Sequence, residues 1–150
     1  MGTTQGEGRG PRGLARRRAV QAIYQWQLNP VPAKDLVLQF AEDEEHARVE
    51  QEFFSELVTQ VVDRREELDT AIGELADRGV EQLDPVEHSV LLIGMYELMR
   101  RPEVPYRVVI NEAVSLCRRF GAEDGHKFVN ALLDRAARNH RSKEIAGKGK

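Results

Sequence analysis

The sequence predicts an all-α protein of about six to seven helices. Three observations predict it. Apolar residues recur at three- and four-residue spacing from Ala15 to Ala136, no stretch alternates apolar and polar residues as a strand would, and the breaks between periodic segments carry helix punctuation. Neither a repeat of fixed period nor a Gly-rich phosphate loop after a strand interrupts the pattern.

The first helix is expected to begin near Leu14. Ala15, Ala19, Ala22, Ile23, Trp26 and Gln27 form its stripe, Arg16, Arg17 and Gln21 occupy other faces, and Asn29-Pro30-Val31-Pro32 ends it. Tyr24, beside Ile23, is read as half core with a free phenol. A second helix is predicted from about Lys34 to Glu45, with Leu36, Val37, Phe40 and Ala41 inward. The third carries a broad band, Phe53, Phe54, Leu57, Val58, Val61 and Val62, from about Glu50 to Arg65. Leu68, Ile72 and Leu75 continue the period into a fourth that Gly79 closes.

The fifth start has the strongest local signal. Asp84 suits an N-cap, Pro85 the first helical position, and Glu87 can reach back as in a capping box. Val86, Val90, Leu91, Ile93, Met95 and Leu98 make this helix apolar around much of its circumference, so it is predicted to be central, with Gly94 permitting close helix approach. Pro105 opens the sixth, whose face is Val109, Ala113, Val114, Cys117 and Phe120, and Gly121 stops it. Asp124, His126 and Lys127 open the seventh, which buries Val129, Leu132, Leu133 and Ala136 and leaves Phe128 as a spare aromatic group. Residues 1–13, with glycines at 2, 6, 8, 10 and 13, and residues 139–150 read as flexible basic tails.

At 150 residues the chain suits one domain, or two small helical subdomains sharing an interface. No run approaches a membrane span and no apolar stretch follows the N-terminal arginines, so a cytoplasmic location is expected. One cysteine, Cys117, forbids an internal disulfide and reads as core. The formal charge of -3 hides segregation: both ends are strongly positive, whereas residues 34–87 hold 17 acidic against 5 basic side chains, a balance of -12. Over a Debye length of about 8 Å, positive ends attract phosphate and an acidic middle repels it.

Catalytic chemistry is not expected. His46, His88, His126 and His140 are scattered without metal-binding spacing, the carboxylates sit in solvated runs such as Glu42-Asp43-Glu44-Glu45, and Ser89 and Ser115 lack a nucleophile context, so neither an enzyme, a metal site nor a cofactor is predicted. Binding is the positive case. Single-stranded RNA is held by Arg and Lys on phosphates and by aromatic rings stacked on unpaired bases. Arg12, Arg16, Arg17 and Arg18 lead the first helix, and Asp124, Lys127, Phe128 and Asn130 open the last; folded together they could line one groove.

The segments VPY, INEA, FGAED, HKFVN and LLD between Val104 and Asp134, with ARRRAVQAIYQWQL and LDPVEHSVLLIGMYEL before them, together resemble the NusB family of bacterial transcription antitermination factors over roughly Arg12 to Arg138. The resemblance implies two packed three-helix subdomains, at about residues 14–80 and 81–138. It further implies a non-enzymatic factor that binds the boxA element of ribosomal RNA leader transcripts with the small-subunit ribosomal protein NusE, in an antitermination complex on RNA polymerase. RNA contact would fall on Arg12, Arg16, Asp124, Lys127 and Phe128, with Arg17, Arg18 and Tyr24 beside them; NusE contact would fall on Glu87 and Tyr106. Two departures from the family pattern are Gly13-Leu14 ahead of arginines crowded at 16 to 18, and Gly125 in place of a serine. The alternative is a helical protein-protein interaction module that never touches RNA. NusB-like domains also precede RNA cytosine methyltransferase domains, but no such domain is expected after Lys150. The free protein could also form a homodimer through the NusE face.

Overall fold

Residues 10–148 are described by a computed structural model of the chain. They form eight α-helices and two short 3-10 turns, with no strand among the described residues.

Helix α1 spans Pro11–Leu28. It starts three residues before the expected Leu14, because Pro11 has a helix-compatible φ and needs no hydrogen-bonded N–H at the first position. The predicted N-terminal tail therefore loses residues 10–13 to ordered structure, while residues 1–9 lie outside the described residues. The Glu50 N–H donates to the Pro11 carbonyl at 3.0 Å, tying this end to the middle of the chain. Helix α2, Ala33–Ala41, is shorter than predicted. Four consecutive acidic residues oppose the negative end of the helix dipole, and Asp43 instead caps a separate 3-10 turn, Glu44–Arg48, its carboxylate accepting from Glu45 N–H at 3.1 Å.

The long third segment divides at Arg64 into α3, Gln51–Asp63, and α4, Arg65–Leu75. Helix α4 ends before Gly79: Ala76 turns extended, and the Arg135 guanidinium caps the freed end by donating to the Leu75 carbonyl at 3.0 Å. Helix α5, Pro85–Arg100, begins as its residues predict, with the Asp84 carboxylate accepting from the N–H groups of Val86 and Glu87 at 3.0 and 3.2 Å. Helices α6, Tyr106–Phe120, and α7, Gly125–His140, follow, then α8, Ser142–Lys148.

Helices α1, α2 and α3 pack as one three-helix group and α5, α6 and α7 as a second; α1 on α5 is the main seam, and α4 lies against α5. One continuous apolar core runs through both groups. Helix α5 is central, with residues 88–98 buried. A Cβ at Gly94 would lie 2.9 Å from Leu133 Cδ1, so glycine here does let α5 and α7 approach closely. Cys117 is fully buried, and burial, followed by the charges of Glu87 and Asp84, pushes its thiol up to about 11, as suits a packing residue.

The predicted C-terminal tail is a correction. Helix α7 runs to His140, and Arg141 is buried beneath it. It donates to the carbonyls of Glu97, Leu98, Arg101 and Val104 at 2.8 to 3.1 Å, and to the Glu144 carboxylate at 2.6 Å. Those carbonyls belong to the C-terminal end of α5 and the loop after it, where the helix supplies no further N–H donors. Glu144 in turn accepts from the Tyr106 N–H at 3.0 Å. Residues 149 and 150 lie outside the described residues.

His46 sits buried in the 3-10 turn, edge-on to Phe54 with ring centroids 5.1 Å apart. Burial, then the charge of Arg18, holds its imidazole below the usual range, with Asp43 opposing. The unfolded chain therefore takes up this proton first as pH falls, so stability should be lost below about pH 6.5 until the depressed folded value is reached. Urea unfolding at pH 7 and pH 5 should give a smaller drop for His46→Gln than for the wild type; equal drops would remove His46 as the cause.

Candidate nucleic-acid interface

The four arginines expected to lead an RNA-binding helix are treated differently by the fold. Arg16 is the correction. Its side chain is 1% exposed, and its guanidinium donates to both oxygens of Glu97 at 2.8 Å while Glu112 lies 3.8 Å away. It fastens α1 to α5 and α6 and faces no solvent in which to meet a phosphate. Arg12 and Arg18 are partly exposed. Arg12 pairs with Glu50 at 3.0 Å and lies over the Phe53 ring; Arg18 pairs with Asp43 at 3.0 Å and lies over Phe40. Both carboxylate partners are open to solvent, Glu50 at 42% and Asp43 at 47%, which screens these pairs. Arg17 makes no ion pair among the described residues. Burial, then the nearby Arg119 charge, lowers its proton affinity, with Glu45 and Glu112 opposing.

Arg17, Gln21 and Tyr24 recur at four- and three-residue spacing, so they form one stripe along α1. Tyr24, read as half core, is 38% exposed. The stripe borders a cleft of about 230 Å³ whose walls include Arg17, Arg18, Arg48, Arg119 and Phe120.

At the opening of α7, Asp124 does not cap the helix. It pairs with Lys127 at 3.5 Å, and both side chains are more than 70% exposed. Phe128 is partly buried, packed against the core, and carries the Arg78 guanidinium 4.6 Å from its ring centroid. Around it, Arg78, Leu83, Asp84, Glu87, Ala122 and Asp124 line a second cleft. Glu87 is thus part of the Phe128 surface. It does not complete the predicted capping box. A Cβ at Gly125 would press on its carboxylate, so this glycine lets Glu87 lie against the start of α7. Burial, then Asp84, raises the Glu87 carboxyl above its usual range, and Arg78 opposes the shift.

The two clefts flank one short stretch of chain. Phe120 lines the first and Ala122 the second, so the Cα atoms of these two wall residues are at most about 7.6 Å apart at 3.8 Å per residue. Residues of the α6–α7 turn thus contribute to the wall of each cleft. Tyr106 does not join them. It is 8% exposed and lines a separate cleft with Arg107 and Asn130, at the other end of α6, about 21 Å away at 1.5 Å per residue. Charge segregation along the chain is also partly undone in space, because Asp43, Glu45 and Glu50 lie directly on the α1 arginines. Among the described residues, no cluster of three or more His, Cys, Asp or Glu could hold a metal ion, and no helix is long and apolar enough to cross a membrane.

Sequence reading did not single out Arg48, Arg78 and Arg119 as site residues. Arg48 and Arg78 sit in the acidic middle segment, where the local balance of charge points away from phosphate. Arg119 was available as one of two cations at the end of α6, next to the FGAED segment.

A profile of the NusB family matches residues 14–138. The transcription antitermination protein NusB of Xanthomonas campestris pv. campestris is 48% identical over 138 residues, covering 92% of this chain and 87% of that protein. Among solved structures, T. maritima NusB superimposes with a TM-score of 0.75 at 26% identity, covering 89% of this chain and 95% of that one. A complex of antitermination factors NusB and NusE with double-stranded RNA contains a chain with a TM-score of 0.73 at 25% identity, covering 83% of this chain and 94% of that one.

Proposed function

The chain belongs to the NusB family, a family of transcription antitermination factors and not of enzymes, and from that premise we propose that it binds the boxA element of ribosomal RNA leader transcripts together with the ribosomal protein NusE. In this reading it works in the cytoplasm within an antitermination complex on RNA polymerase. The observation that carries the proposal is the pair of clefts walled in part by the α6–α7 turn, one rich in arginine and the other built on Phe128. Arg12, Arg17 and Arg18 supply phosphate contacts, Tyr24 an exposed phenol beside them, and Phe128 an aromatic face for an unpaired base. Lys127 adds charge, and the Asp124 carboxylate can accept from a base amino group. Arg78 covers the Phe128 ring in the free protein and must slide aside for a base to stack. Arg16 supports this surface from beneath. The acidic middle of the chain offers a surface of the right sign for a basic ribosomal protein, with Glu87 at its edge.

Fluorescence anisotropy with boxA RNA, a scrambled strand and a duplex of the same sequence tests this, with and without NusE. Affinity for boxA should fall with salt by about 0.7 in the log-log slope per phosphate neutralised, and NusE should tighten it. Phe128→Ala should cost about 1–3 kcal/mol, fivefold to 150-fold in affinity. Equal binding of boxA and scrambled RNA with and without NusE would overturn the proposal. NusE binding that is indifferent to RNA, and to loss of Arg17 and Lys127, would identify a protein interaction module instead.

A further inference from the structure

We infer that Arg17, Arg48 and Arg119 form a seat for one backbone phosphate of the bound RNA, an inference that rests on the RNA-binding function proposed above. Three separate elements supply the groups: Arg17 from α1, Arg48 from the end of the 3-10 turn after α2, and Arg119 from the last turn of α6. They converge on the cleft of about 230 Å³, several times the roughly 30 Å³ that one water occupies in the liquid, which leaves room for a phosphate group and its hydration.

The charge balance of the cleft is what points to an anion. Arg18 is held by Asp43 at 3.0 Å and Glu45 at 3.7 Å, whereas Arg17, Arg48 and Arg119 make no ion pair among the described residues. Glu45 is the one carboxylate on the cleft wall, and its side chain is 70% exposed. Four guanidinium groups face one carboxylate on this wall; burial, then the charge of Arg119, lowers the proton affinity of Arg17, with Glu45 and Glu112 opposing. Leu14, Val49 and Phe120 supply apolar wall, which lowers the local dielectric and strengthens any charge-assisted bond made there. Arginine rather than lysine suits the task, since its planar fork can grip two oxygens of one phosphate.

Inorganic phosphate and a phosphodiester share this chemistry. The backbone phosphate is favoured because the cleft lies at the surface and shares the α6–α7 turn with the one that holds Phe128, Phe120 lining the first and Ala122 the second. A strand with one base on Phe128 has to route its phosphates across the protein surface, and this cleft offers an excess of positive charge on it.

The test uses the full chain with Arg48→Gln and Arg119→Gln combined. Both side chains are exposed, so the fold should persist, and unchanged NusE binding together with an unchanged melting curve verifies it. Affinity for boxA RNA at low salt should fall about tenfold, and the log-log salt slope should become shallower by about 0.7 for the phosphate no longer neutralised. The Arg48→Lys and Arg119→Lys pair should restore most of the slope but not all of the affinity, because charge returns without the fork. If the glutamine variant keeps the wild-type slope while Phe128→Ala still weakens binding, the RNA function stands and the phosphate seat is overturned. Calorimetric titration with inorganic phosphate at constant ionic strength is the second arm: binding lost in the glutamine variant, with RNA affinity and slope untouched, would assign the cleft to free phosphate and overturn the backbone seat. Absence of RNA binding by the wild-type protein would overturn both the seat and the function beneath it.

Discussion

Arg16→Ala is expected to destabilise the protein by about 3–5 kcal/mol, the usual cost of removing one partner from a buried ion pair. Glu97 is 1% exposed, so deleting the guanidinium removes both charge-assisted hydrogen bonds that its buried carboxylate accepts from Arg16. A small domain has only about 5–15 kcal/mol to lose. Urea unfolding followed by circular dichroism measures the change directly. The double variant with Glu97→Ala should cost less than the two single changes added together, because the second removes the charge that the first orphaned. A single variant within 1 kcal/mol of the wild type would mean that the pair does not hold α1 to α5. The result also governs how RNA data are read. Weakened RNA binding by an Arg16 variant reports loss of folded protein or a loosened α1, and the phosphate-contacting role has to be tested at Arg12, Arg17 and Arg18 instead.

Arg141→Ala should lower stability by at least about 3 kcal/mol, since one buried cation satisfies four main-chain carbonyls and a carboxylate. The loss should concentrate at the end of α5 and the loop into α6. Hydrogen exchange would detect it as faster exchange of amides in residues 97–106 than in α2 or α3, and the melting temperature should drop in parallel. Lysine at this position should recover only part of the difference, because a point charge cannot span five acceptors. A variant that melts with the wild type would return residues 139–148 to the status of an appendage. If the prediction holds, the segment read from its charge as a solvated tail is the clamp that positions Tyr106 and the start of α6.

The helices were legible because their causes are local. Ala15, Ala19, Ala22, Ile23 and Trp26 are all buried as their spacing implies. The Asp84 cap, the Gly94 contact and the buried Cys117 each depend on residues whose side chains or spacing announce the role. Boundaries failed where two local signals competed: the acidic run after Ala41 has helix-forming residues but the wrong charge for a helix end, and Pro11 can start a helix as readily as end a loop.

The candidate site was legible only in part. Phe128 and Asp124 line one surface cleft, with Lys127 exposed beside Asp124, and Arg17 and Arg18 line another. Arg16 and Arg141 have the same residue type as their exposed neighbours, and arginine is almost never fully buried unless paired. Whether it is paired depends on Glu97, which is 81 residues away from Arg16, and on carbonyls 37 to 44 residues away from Arg141.

Residue order by itself thus determined the helical class, the central apolar helix and the presence of two basic regions with an aromatic group near one of them, since each follows from interactions within about one helical turn. Which arginines meet solvent, which fasten helices together, and that Arg48 and Arg119 join Arg17 around one cleft were decided only by tertiary structure. The reason is electrostatic: a charged side chain is neutralised by whatever long-range packing places beside it, and no local pattern encodes that neighbour.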